Sequence, residues 1–194
     1  MMRIRPPAVA GMFYPGDAAE LRRAILGSFG HARVTGALRP KALIVPHAGY
    51  VYSGPVAASA YALLEPLRAV IRRVILLGPV HRVWVPGLAL PGVDAFATPL
   101  GTIPLDQAAI AVIAELPQVE VSAAAHAQEH SLEVHLPFLQ SVLADFTLVP
   151  LAVGEATPEE VAQVLDRLWG GEETLIVVSS DLSHFLPYVE AERS

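Results

Sequence analysis

The sequence predicts an α/β fold, a mostly parallel sheet flanked by helices on both faces. Three observations carry that expectation. Short apolar runs such as "KALIVP" at 41–46 and "RRVILLG" at 72–78 suit strands buried on both faces. Amphipathic segments with recognisable caps alternate with those runs, the pattern of strand–helix–strand units. Of the 194 residues, 53% are hydrophobic and 16% charged, which excludes a disordered chain and allows a substantial core. No repeat, low-complexity tract or dividing linker interrupts the chain, so 1–194 reads as a single domain.

Residues 17–29 form the first expected helix, with Asp17 as N-cap and Leu21, Ile25 and Leu26 on one side. The 41–46 strand follows. Ser53 and Gly54 then open a helix whose buried stripe is Val56, Ala60, Leu63 and Leu64. The 72–78 strand is wholly apolar after its two arginines, and "VPGLALP" at 85–91 is a weaker strand. Residues 105–116 read as helix and "FTLVPLAV" at 146–153 as strand. The next helix has the clearest ends: Thr157 caps it, Pro158 occupies its first turn, Glu159 and Glu160 follow, and Gly170 stops it. "TLIVVSS" at 174–180 is the last strand.

A net charge of −6 argues against a nucleic-acid partner, which needs clustered Lys and Arg; Arg68, Arg72 and Arg73 read as a solvated corner. With no cysteine, the chain has no disulfide, thiolate metal ligand or cysteine nucleophile, and histidine and carboxylate are its strong metal ligands. No apolar run approaches the roughly 20 residues of a membrane span, and the start does not read as a signal peptide. A cytoplasmic protein is the expectation.

Three of the seven histidines share one context. His47 follows "ALIVP", His81 follows "VILLGPV", and His184 follows "LIVVSSDLS". In a parallel sheet, groups just beyond the strands' carboxyl ends gather at one edge, where such folds place ligands. Two histidines holding a metal, with a third as acid/base, fit that placement; hydrogen-bonded histidines at loop entrances are the alternative. Gly49 and Gly78 would let backbone approach a ligand. Tyr50 and Tyr52 line the pocket or orient a substrate, or else pack with a hydroxyl reaching water. Asp181 is a ligand, an acceptor that holds an imidazole tautomer, or the start of an Asx turn.

"HAQEHSLEVHLPFLQ" at 126–140 resembles a metalloprotease helix with the wrong spacing. His130 and His135 are five apart, about 140° around a helix axis, where zinc ligands on one face need i,i+4. Leu132, Leu136, Leu139 and Leu143 give the segment a packing face, and Pro137 argues against one unbroken helix. His130 and Glu133, at i,i+3, share a side and are expected around the site. A zinc hydrolase would draw its carboxylate from Asp181 or Glu133. Ser179 and Ser180 follow a strand but lack the glycines of a nucleophile elbow.

Five blocks in order resemble the Memo family, known in bacteria and archaea as protein B of the AmmeMemoRadiSam system: "AVAGMFYPGD", "PHAGYVYSGPVAASAY", "RRVILLGPVH", "EHSLEVHLPFL" and "VVSSDLSHF". The resemblance implies the α/β sandwich of class III extradiol dioxygenases, with His47 and His81 as metal ligands and His184 at the position of the dioxygenase acid/base. It implies iron or copper, with zinc possible, and a small-molecule or peptide ligand. Other AmmeMemoRadiSam components are implied partners. The reading that follows is a non-haem redox enzyme acting on a small organic substrate, with a non-catalytic metal- or peptide-binding scaffold as the alternative. Two departures stand out. "GPVHRVW" has valine before a single histidine where the family has two in a row, and the family's third ligand, a cysteine, has no counterpart here. Family chains also continue beyond the position of Ser194, so the resemblance implies a C-terminally truncated sandwich with an exposed sheet edge.

Overall fold

The computed structural model describes residues 2–32, 38–183 and 186–193. In chain order the elements are β1 (Ile4–Arg5), α1 (Ala18–Phe29), β2 (Ala42–Val45), α2 (Tyr50–Tyr61), β3 (Arg73–Pro79), β4 (Leu88–Leu90), β5 (Ala95–Thr98) and β6 (Gly101–Pro104). There follow α3 (Gln107–Ile113), β7 (Val119–Val121), α4 (Ala123–Ala127), α5 (Leu136–Val142), β8 (Thr147–Val153), α6 (Pro158–Leu168), β9 (Thr174–Ser179) and α7 (Tyr188–Ala191). Short 3₁₀ turns cover Ala62–Leu67 and Glu133–His135.

The apolar runs assemble the main sheet, ordered β2-β9-β3-β8-β4-β7. Its first four strands are parallel; β4 runs antiparallel to β8, and β7 parallel to β4. The strand period of two splits β3 between two cores. Val74 and Leu76 join Leu21 and Ile25 of α1, Ala57 and Tyr61 of α2 and Phe138 of α5. Ile75 and Leu77 join Ala109 and Ile113 of α3 and Val164 and Leu168 of α6. This is the predicted α/β sandwich, with a β1-β5-β6 sheet beside it that periodicity did not signal.

Capping chemistry behaves as read. Asp17 accepts from the N–H groups of Ala19 and Glu20, and Thr157 and Glu160 form a reciprocal capping box. Gly170, at φ +58°, takes the left-handed conformation that ends α6.

Three packing expectations need correction. Leu26 is exposed. Val56 is exposed too, because α2 opens at Tyr50 and buries Tyr50, Ser53, Gly54, Ala57, Ala58 and Tyr61. That stripe is made of aromatic and very small side chains, which hydrophobicity alone does not mark. The 41–46 strand is the edge of the sheet and is not covered on both faces. Leu43 and Val45 enter the first core, whereas Ile44 is 62% exposed.

Candidate metal centre

The parallel register brings the chain just beyond β2 and β9 together. Val45 pairs with Ser179, and Ser180 N–H donates to the Val45 carbonyl. Two residues on, the backbone N–H of His47 donates to Asp181 Oδ1 at 2.6 Å. The neighbouring strand β3 delivers His81. The His47 and His81 rings lie 5.3 Å apart between centroids.

A third histidine completes the group. His130 sits in the turn between α4 and the Glu133–His135 turn, 5.5 Å from the His47 ring and 4.5 Å from that of His81, on which it stacks. His47, His81 and His130 each offer a ring nitrogen, and these atoms lie within 4.8 Å of one another. The cluster can hold a metal ion, since neutral imidazole is a common ligand for zinc, copper and iron.

The turn reaches the strand end because of Gly78. A Cβ there would meet Leu132 Cδ2 and Ser131 Oγ at 2.9 Å and Ser179 Cβ at 3.1 Å. Gly78 therefore admits side chains of the turn and of β9, where the sequence reading had it admitting a ligand. Ser131 Oγ then donates to the Pro79 carbonyl at 2.7 Å, fastening the turn to β3.

His47 is nearly enclosed, and its ring is oriented by a hydroxyl relay. Ser179 Oγ donates its one proton to the Ser131 carbonyl at 2.7 Å, so it accepts from His47 Nδ1–H, also at 2.7 Å. That leaves the Nε2 lone pair for the site, 3.7 Å from Asp181 Oδ2. Burial lowers the His47 pKa to about 4, Asp181 opposing and His130 and His81 adding to the shift. The ring is therefore neutral at pH 7, the form that ligates. His81 is the more open ring and stands on the wall of a cavity of about 460 Å³ bordered by Arg82, Trp84 and Glu155.

The other expected site residues fall elsewhere. Tyr50 packs between Tyr14 and Phe138, and its hydroxyl donates to the Val134 carbonyl, so it belongs to the core. Tyr52, on the outer side of α2, is 81% exposed. Glu133 is fully buried away from the cluster's hydrogen bonds. Its carboxylate accepts from Arg5 Nη1 at 2.7 Å, Tyr14 Oη at 2.6 Å and the N–H groups of Ala8 and Val9. The expected shared helix face does not exist, since the chain turns between Gln128 and Leu132. His184 lies outside the described residues.

The residue that the sequence reading missed is Glu129, 2% exposed. It accepts from His81 N–H at 2.7 Å and contacts the Nδ1 atoms of His81 and His130 at 2.9 and 3.2 Å. An acidic residue directly before a histidine, in a segment with no Lys or Arg, was the available signal.

Comparison with known proteins agrees with this architecture. The family model described as Memo-like protein matches residues 5–193. A MEMO1 family protein of Ignicoccus hospitalis is 40% identical over 96% of this chain and 71% of its own length. One from Aquifex aeolicus is 39% identical over 99% of this chain and 72% of its own. One from Methanothermobacter thermautotrophicus is 37% identical, covering 97% and 73%.

Proposed function

The chain belongs to the Memo family, and from that premise we propose that it is a metal-dependent redox protein acting on a small organic substrate. The supporting observation is the convergence of His47, His81 and His130 at the carboxyl edge of a parallel sheet. The donor set suits the proposed iron or copper, and zinc as well: three imidazoles, with the Glu129 carboxylate behind His81 and Asp181 beside His47 Nε2. Bound there, iron or copper would supply one-electron chemistry and a place for dioxygen beside an organic substrate.

The chain's own residues supply the rest. His47, held by Ser179 in a dry setting, and His81, at the cavity wall, would orient the centre. The cavity beside His81 offers the substrate a route, with Trp84 and Arg82 available to an aromatic or anionic group. On the motif alone we assign proton transfer at a substrate hydroxyl to His184. A second reading draws on Val51, Tyr52 and Leu182, exposed side chains close in sequence to His47 and Asp181. They favour a non-catalytic centre covered by a peptide.

Oxygen uptake separates the two. The protein is loaded anaerobically with Fe(II) or Cu(I), mixed with a panel of catechols and other phenols, and exposed to oxygen in an electrode cell. Substrate-dependent uptake that is lost in His47→Ala supports the enzyme. Metal binding without uptake across the panel counts against it and favours the binding protein.

A further inference from the structure

Glu129 is a buried carboxylate whose side-chain partners among the described residues are two imidazoles. Oε2 accepts from His81 N–H at 2.7 Å. Oε1 accepts from the backbone N–H groups of His130 at 2.9 Å and Ser131 at 3.0 Å, and faces His81 Nδ1 at 2.9 Å and His130 Nδ1 at 3.2 Å. No lysine or arginine hydrogen-bonds to its carboxylate among the described residues.

An ionised carboxylate accepts hydrogen bonds and donates none. Any ring that hydrogen-bonds to Glu129 through Nδ1 must carry its proton there, which in the neutral ring leaves the lone pair on Nε2. Ser179 imposes the same form on His47. A ring held this way offers Nε2, as His47 does, and one carboxylate faces both of the others. Buried charge is ordinarily paired or placed against a metal, and among the described residues no lysine or arginine pairs with the Glu129 carboxylate.

We propose that Glu129 is the positioning residue of the centre, fixing the tautomer and orientation of His81 and His130 together so that both present Nε2 to a divalent cation. The proposal rests on the metal-centre reading above. It extends that reading from the ligands to the group that makes two of them act as a unit. Partners of this kind, when removed, typically cost 10- to 100-fold in metal affinity. Glutamine matches glutamate in shape but is a weaker, neutral acceptor and brings an N–H₂ donor, which in either amide orientation opposes an N–H that the carboxylate accepts.

The test uses histidine labelled with ¹⁵N and the full chain. Long-range ¹H–¹⁵N spectra of the metal-free protein report each ring's tautomer, and competition against a chromophoric chelator reports Zn(II) affinity. Expected are Nδ1–H for both rings in the wild type, and roughly 10- to 100-fold weaker Zn(II) binding in Glu129→Gln with Nδ1–H no longer the exclusive form of at least one ring. Glu129→Asp, which still only accepts, should recover part of the loss and keep the wild-type tautomers. A merely structural role would lower stability without changing tautomers.

Two failures are distinguishable. Nε2–H on either ring of the wild type, or wild-type affinity in folded Glu129→Gln, overturns the role of Glu129. Wild-type protein with both rings as Nδ1–H but no Zn(II) uptake overturns the metal centre itself. Should Glu129→Gln not fold, the wild-type spectrum and Glu129→Asp still decide.

Discussion

Glu129 and Glu133 stand four residues apart, and both are almost wholly buried, yet different partners hold them. Glu133 meets a guanidinium, a phenol and two backbone N–H groups, which tie the segment before α1 to the 133–135 turn. Arg5 is itself fastened to the His126 and Glu129 carbonyls at 2.7 and 2.8 Å. Among the described residues the Glu129 carboxylate meets no such cation, and imidazoles take that place. Burial alone would raise its pKa, but hydrogen bonds from His130, Ser131 and His81 hold it well below the usual carboxylate range. One glutamate is neutralised inside the fold. The other faces two imidazoles, and the ion proposed for the centre would lie beyond them. Residue type and burial do not separate a structural carboxylate from one at a site; the partners do.

The largest effect that would break this comparison is on Glu133. Glu133→Gln should destabilise the fold by about 3–5 kcal/mol, because it strands the Arg5 guanidinium in the interior. Chemical denaturation measures the loss, and Zn(II) affinity of the folded protein should change little. A stability cost below about 1 kcal/mol, or a lost metal site in the folded protein, would erase the distinction.

The histidines show the same contrast in acid. Among the described residues His126 and His135 hydrogen-bond to no carboxylate, and burial lowers their pKa values to about 4 and about 3. Unfolded, each would titrate near 6.5, so below that pH the unfolded chain binds more protons. Their contribution is fully present above pH 6.5 and is lost as the pH falls towards 4. For His126 the loss is on the order of 3 kcal/mol. His126→Gln should flatten stability measured by denaturant titration between pH 6.5 and 4; an unchanged slope would show that this ring is not buried neutral.

A smaller effect sharpens the comparison at Gly78. Adding a methyl group by Gly78→Ala presses on Ser131 and Leu132, in the turn that carries Glu129 and His130. Overpacking of this kind costs about 1–3 kcal/mol. Because the displacement falls on a ligand, Zn(II) affinity should fall more than it does in Glu133→Gln. Equal affinities in the two variants would contradict the role given to the turn.

How much of this was legible follows from the range of each interaction. The strands at 72–78, 146–153 and 174–180 show in their apolar runs, and the 158–168 helix in its caps, because those signals are local. His47 and His81 were legible because the carboxyl end of a buried parallel strand is a position sequence can specify. Ile44 misled because an edge strand and a central one can share one composition. The placement of His130 in the cluster was out of reach. It depends on a turn, on the absence of a Cβ at Gly78 and on a serine bonding across to β3, none of which has a period. Glu133 misled for the opposite reason: its spacing from His130 was informative only on a helix that does not form.

The most direct test of the central claim is anaerobic titration of the purified chain with Zn(II), Fe(II) and Cu(I), beside His47→Ala, His81→Ala and His130→Ala. Circular dichroism confirms that each variant is folded. One ion per chain in the wild type, with affinity reduced at least 100-fold in each of the three variants, is the predicted result. A folded wild type that takes up none of the three ions, or binding that survives in all three variants, would contradict it.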